Sequence, residues 1–136
     1  MTARKVKSFL YGRQSYLIRG ACFDVWNAFG GAFKESVVEQ ALKRAFAKRG
    51  LQVESQKRIP VRYEGETVGI YRPDFIIDNC ILVELKCKPT LTVGDRRQFW
   101  QYLKGSDYRL GFLVHFGSDS LHISRVVYDQ ARKAHS

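Results

Sequence analysis

The stretch Tyr71-Arg72-Pro73-Asp74-Phe75-Ile76-Ile77-Asp78-Asn79-Cys80-Ile81-Leu82-Val83-Glu84-Leu85-Lys86 decides the fold. Two apolar runs flank Asp78-Asn79, a pair with turn chemistry, so the segment reads as strand, turn, strand. The second run, Ile81 to Cys87, is rich in Ile, Leu and Val but carries Glu84 and Lys86. Alternation along a strand sends Glu84 and Lys86 to one face and Val83 and Leu85 to the other. With a two-residue turn at Asp78-Asn79, Asp74 falls opposite Val83 and diagonal to Glu84. Two carboxylates and an ammonium then converge on one twisted hairpin.

The elements outward of this hairpin follow from periodicity. Upstream, an extended segment from Val53 to Tyr63 turns at Glu64-Gly65 and continues from Thr67 to Ile77. Before it come two amphipathic helices. The first spans about Ser15 to Phe29, with Leu17, Ile18, Ala21, Cys22, Val25 and Phe29 at helical spacing, and Gly30-Gly31 stops it. The second presents Phe33, Val37, Val38, Ala41, Leu42, Ala45 and Phe46 on one face and ends in Lys48-Arg49-Gly50. Downstream, a third helix from Thr92 to Lys104 precedes strands Gly111–Phe116 and Ser120–Tyr128. The expectation is one α/β or α+β domain over residues 1–136, with a basic extension at about 1–14.

Composition narrows the partner. The 136 residues are 45% hydrophobic and 13% aromatic, enough for a packed core, and 23 Lys and Arg oppose 13 Asp and Glu. A net charge of +10 invites a polyanionic partner, nucleic acid or an anionic membrane surface. Residues 1–20 carry Arg4, Lys5, Lys7, Arg13 and Arg19 and no acid, whereas the acids gather within 21–41 and 63–85. No apolar run approaches the ~20 residues of a membrane span, and no secretory signal is visible. Cys22, Cys80 and Cys87 lack the spacing of a disulfide framework or a zinc site, so a cytoplasmic protein is expected.

Taken alone, Asp74 belongs to a Pro-Asp turn and Glu84–Lys86 is a surface ion pair. Together, on an apolar strand, they need a reason to be adjacent, because like carboxylates repel. A bound Mg²⁺ supplies one, since hard divalent cations choose carboxylate and carbonyl oxygens and keep several waters. Phosphodiester hydrolysis uses such an arrangement. His115 falls within a buried strand and reads as a core histidine rather than a base.

Pro73-Asp74…Glu84-Leu85-Lys86 resembles the signature of the PD-(D/E)XK nuclease superfamily, whose core is a mixed β-sheet flanked by helices. The chain is most similar to the small GxxExxY proteins of that superfamily. The similarity runs through Ile18-Arg19-Gly20-Ala21, Phe33-Lys34-Glu35-Ser36-Val37, Tyr71-Arg72-Pro73-Asp74-Phe75, Val83-Glu84-Leu85-Lys86, Leu91-Thr92, Gln98…Tyr102-Leu103-Lys104 and Phe116-Gly117, and covers roughly Leu17 to Val127. It implies that Asp74 and Glu84 are the principal metal ligands, joined by the carbonyl of Leu85 and by helix-borne Glu35. Lys86 would be the catalytic lysine. Gln98 and Tyr102 resemble a QxxxY element that steadies the site or touches the nucleic-acid backbone. Three positions depart from the pattern: Ala32 stands in place of Gly, Val38 in place of Tyr, and Trp26 where relatives often carry His.

The expected function is a Mg²⁺-dependent nuclease hydrolysing DNA by a metal-activated water, with Mn²⁺ able to substitute. Asp74, Glu84, Lys86, Glu35 and Gln98 would carry the chemistry. Arg72, Lys88, Tyr102, Arg4, Lys5, Lys7 and Arg13 would contact nucleic acid. Two other readings stand beside it: a nucleic-acid-binding module of the same fold with weak chemistry, and an endonuclease resembling junction resolvases. A homo-oligomer is expected because so small a chain covers little DNA.

Overall fold

The structure is a computed structural model describing residues 10–128. Two helices come first, α1 (Gly12–Phe29) and α2 (Glu35–Lys48). Five strands follow: β1 (Val53–Ser55), β2 (Ile59–Tyr63), β3 (Glu66–Tyr71), β4 (Phe75–Ile77) and β5 (Ile81–Cys87). Helix α3 (Val93–Gly105) and strands β6 (Leu110–Phe116) and β7 (Leu121–Val127) complete the chain. Helix α1 starts at Gly12, so Arg13 lies in its first turn rather than in an extension. Arg4, Lys5 and Lys7 lie outside the described residues.

The sheet is mixed, in the order β1-β4-β5-β6-β7, with β5 and β6 parallel and the other pairs antiparallel. A parallel pair needs a crossover, and α3 provides it. Helices α1 and α2 cover one face, where Ile18, Leu42 and Phe46 meet Phe75, Val83 and Phe112. Helix α3 covers the other, with Phe99 and Leu103 against Ile76, Leu82 and Leu113. Every residue of β6 is buried, as expected of a strand enclosed on both faces. No helix among the described residues is long and apolar enough to cross a membrane.

Four local expectations are corrected. The extended segment 53–63 is two strands in different sheets, because the chain turns at Gln56 with φ 57°. The segment 67–77 is also two strands, broken at Arg72-Pro73-Asp74, where proline has no N–H to give a ladder. Strands β2 and β3 thus form their own antiparallel ribbon against α3. The β4–β5 turn holds three residues, not two, with Asp78 and Asn79 both at positive φ and Cys80 N–H donating to Ile77 O at 3.0 Å. The register moves accordingly. Phe75 pairs with Val83, so Asp74 comes level with Glu84. On α2 the buried stripe is Val38, Leu42 and Phe46, while Phe33 and Val37 are exposed.

Candidate active site

The two carboxylates meet at the entrance to β4. The β4–β5 ladder ends at Phe75 opposite Val83, and Asp74 stands one residue earlier. Its Oδ2 accepts from the Leu85 N–H at 2.7 Å. That bond takes the place of the next rung, so the strand bearing Glu84 also fixes Asp74. The N–H and C=O of one strand residue share an edge, which puts the Leu85 carbonyl along this same side.

Both carboxyls are half-buried. Burial pushes Glu84 up to about 7, and the Asp74 charge adds to the rise, while the Tyr71 hydroxyl and Lys86 oppose it. Asp74 also lies above its ordinary value, chiefly through burial, with Glu39 and Glu35 adding and the Leu85 N–H and Gln56 opposing. Two carboxyls that resist joint ionisation in this way favour a cation between them. Lys86 projects to the same face of β5 as Glu84 and lines one recess with it, together with Gln98 and Tyr102.

On this face the aromatic packing bears directly on the site. Tyr71, buried at the end of β3, donates its hydroxyl to Glu84 Oε1 at 2.8 Å. Its ring lies flat on Tyr102, with centroids 4.1 Å apart and planes 3° from parallel. Tyr102 and Gln98 therefore do sit beside Glu84 and Lys86, as their spacing on one face of α3 requires. The start of α3 is closed by a capping box between Thr92 and Asp95. Lys88 pairs with Asp95 and holds that carboxyl well below the usual range.

The helix carboxylates approach from the opposite layer. Glu35 Oε1 accepts from the Cys87 N–H at 3.3 Å. One turn on, Glu39 Oε2 accepts from Gln56 Nε2 at 2.8 Å, and the same amide reaches Asp74 Oδ1 at 3.3 Å. Glu35 is thus beside Asp74 without joining Asp74 and Glu84 in one cluster. Among the described residues no three His, Cys, Asp or Glu side chains gather closely enough to hold one ion. Of the other residues named from sequence, Arg72 is exposed in the break next to Asp74. Arg13 is not brought to the site. It follows Tyr11, which lines a recess with Asn79 and Cys80 at the other end of β5. His115 is buried, with Nε2 2.7 Å from Lys88 O, as a core histidine should be.

The mixed sheet, the flanking helices and the Asp74–Glu84–Lys86 arrangement can be set against known proteins. The family model of the PD-(D/E)XK nuclease superfamily matches residues 13–126. The chain belongs to this superfamily. No curated protein and no solved structure matches it.

PD-(D/E)XK nucleases generally use divalent metals, and the residues of this chain fit one by their chemistry. Asp74, Glu84 and the Leu85 carbonyl offer hard oxygens only, and the two carboxyls gain from a shared positive charge. A small hard cation held by one or two carboxylates keeps waters for its remaining positions, so a third carboxylate is not demanded. Cys87 does not compete as a ligand. Burial, with Glu35 and Asp74 adding, pushes its thiol up to about 12. Tyr71, Glu39 and Gln56 are members of the site that sequence reasoning missed. The i, i+4 spacing of Glu35 and Glu39 was a usable signal for one of them. Nothing local marked Gln56.

Proposed function

We propose that this PD-(D/E)XK chain is a divalent-cation-dependent nuclease that hydrolyses phosphodiester bonds in DNA, using Mg²⁺ or Mn²⁺. The observation that carries the proposal is the juxtaposition of Asp74, one residue ahead of β4 and bonded to the Leu85 N–H, with Glu84 of β5, which also has Lys86 on its face. Asp74, Glu84 and the Leu85 carbonyl would hold the ion, with Glu35 acting from the Cys87 side. When bound, the ion supplies Lewis acidity toward the phosphoryl oxygen and lowers the pKa of its water. The Lys86 ammonium, beside Glu84, would orient the attacking water or offset charge developing on the phosphate. Tyr71 keeps Glu84 in one orientation by its 2.8 Å hydrogen bond. The matching residues Glu35-Ser36-Val37 and Leu91-Thr92 support a kinship with the GxxExxY proteins within the superfamily.

The test is cleavage of linear duplex, single-stranded and four-way-junction DNA with Mg²⁺ or Mn²⁺, with and without chelator. Asp74→Ala, Glu84→Ala and Lys86→Ala should each lower metal-dependent cleavage by about 100-fold or more at unchanged folding, in line with removal of one charge-stabilising group. Full activity in all three variants would refute the assignment. Metal-independent DNA binding without any cleavage would instead identify a binding module.

A further inference from the structure

We propose that a recess at the exit of β5 is a subsite for one unstacked nucleobase of the substrate strand, with Phe33 as its stacking face. The inference rests on the nuclease reading above. The recess measures about 260 Å³ and is lined by Phe33, Val38, Cys87, Phe116 and the Gly117-Ser118 turn. That is below the ~300–1,000 Å³ of pockets for drug-sized ligands and suits a single planar ring system. Its floor is apolar: Val38 and Phe116 belong to the core, and Cys87 packs against it. The Gly117-Ser118 turn beside it is closed by the Gly117 N–H donating to Ser120 O at 2.9 Å.

Phe33 is 46% exposed and packs on Phe29, itself 36% exposed, with ring centroids 4.9 Å apart. Two exposed aromatic rings beside an apolar recess form a platform of the kind on which bases stack. The walls are held in place. A Cβ on Gly31 would lie 2.4 Å from the carbonyl oxygens of Gly117 and Ser118, so the α1–α2 loop is pressed against the β6–β7 turn. Lys88 lines the recess but is tied to Asp95, which favours stacking over anion capture.

Position relative to the carboxylates completes the case. Cys87 is three residues past Glu84, roughly 10 Å along the strand at ~3.3 Å per residue, and packs on the α2 side of the sheet, where Glu35 accepts from its N–H, whereas Glu84 projects to the α3 side. That distance is about three nucleotides of stacked strand at ~3.4 Å each, and fewer where the strand is unstacked. The nucleotide that would reach Phe33 is therefore about three steps from the scissile phosphate in a stacked strand, and fewer in an unstacked one. A base can enter only if it leaves its stack, so the preferred substrate is single-stranded or frayed DNA.

The experiment uses a 12-nucleotide oligo-dT series, each member abasic at one position, with affinity read by fluorescence anisotropy in chelator. For the unaltered protein, one or two adjacent abasic positions should weaken binding by about 5- to 100-fold. Phe33→Ala should weaken the intact oligonucleotide by the same factor and be indifferent to those abasic positions. Phe33→Tyr should retain both affinity and position dependence, and melting curves should match throughout. Wild-type affinity in Phe33→Ala, or full additivity of the two losses, overturns the proposal. So does a change of sedimentation coefficient without a change of affinity, which would assign the platform to contact between copies. Mg²⁺- and Mn²⁺-dependent cleavage separates the two readings. Phe33-dependent base binding without cleavage removes the nuclease assignment alone, and cleavage indifferent to Phe33 removes the subsite alone.

Discussion

Glu84 shows how a single residue couples the site to stability. Its carboxyl titrates near 7 in the folded chain against an ordinary value of 4.5, because burial and Asp74 disfavour its charge. A raised folded-state pKa gives stability that is complete below about 4.5 and is lost as pH climbs through 7. The metal-free protein should therefore lose up to about 3 kcal/mol across that window from this group, at 1.36 kcal/mol per pH unit. Glu84→Gln should abolish that part of the loss, leaving a flatter urea-unfolding stability between pH 4.5 and 7.5. An equally steep profile in the variant would mean that another group drives the loss. A second residue-scale effect is backbone strain. Ala32 sits at φ 70°, a conformation that disfavours side chains, so Ala32→Gly should stabilise by roughly 0.5–1 kcal/mol in the same assay. Asp74, Glu84 and Lys86 could be found from sequence because turn chemistry and alternation act over a few residues. Gln56 could not. Its amide bridges Glu39 and Asp74, 17 and 18 positions away, and only the tertiary fold brings them together.

Among the elements, the three helices and the strands β5 and β6 follow from local pattern, and their bounds shift by only a few residues. The errors fall where a strand changes sheets. Alternation continues across Tyr71-Arg72-Pro73-Asp74, and Glu54 to Arg58 holds no apolar residue to mark its turn, but the hydrogen-bond partner changes at each point. A pattern of side chains records burial and not pairing, so both breaks were hidden. The turn error had a similar origin: Asp78-Asn79 has the composition of a two-residue hairpin turn, yet Cys80 completes it. That one-residue slip moved Asp74 from Val83 to Glu84 and made the site tighter than the sequence suggested. Helix α3 carries its own start signal, with the Thr92 hydroxyl accepting from Asp95 N–H at 3.0 Å and Asp95 accepting from Thr92 N–H at 2.9 Å. Thr92→Ala should cost about 1 kcal/mol, seen as a lower urea midpoint at unchanged slope.

Across the whole molecule, the charge of +10 is not all at the disposal of a ligand. Arg49, Lys57, Arg62 and Lys88 are committed to Asp24, Glu54, Asp107 and Asp95. The proposed DNA affinity should nonetheless depend steeply on salt. With about three phosphate contacts, oligonucleotide binding should fall at least about tenfold between 50 and 200 mM salt, linearly on a log–log plot. A flat plot would mean that the basic excess serves something other than phosphate. The topology carries a consequence of a different kind. All the proposed ion-holding residues precede residue 90, yet β5, which bears Glu84 and Leu85, is flanked on one side by β6 at Leu110–Phe116. During synthesis the strand has no parallel neighbour until the crossover helix and β6 have emerged, and domains fold as units once their parts are available. A ribosome-bound fragment ending before β6 would hold every acidic group of the site on an unfinished sheet, so the proposed cleavage should wait until residues 110–116 have emerged.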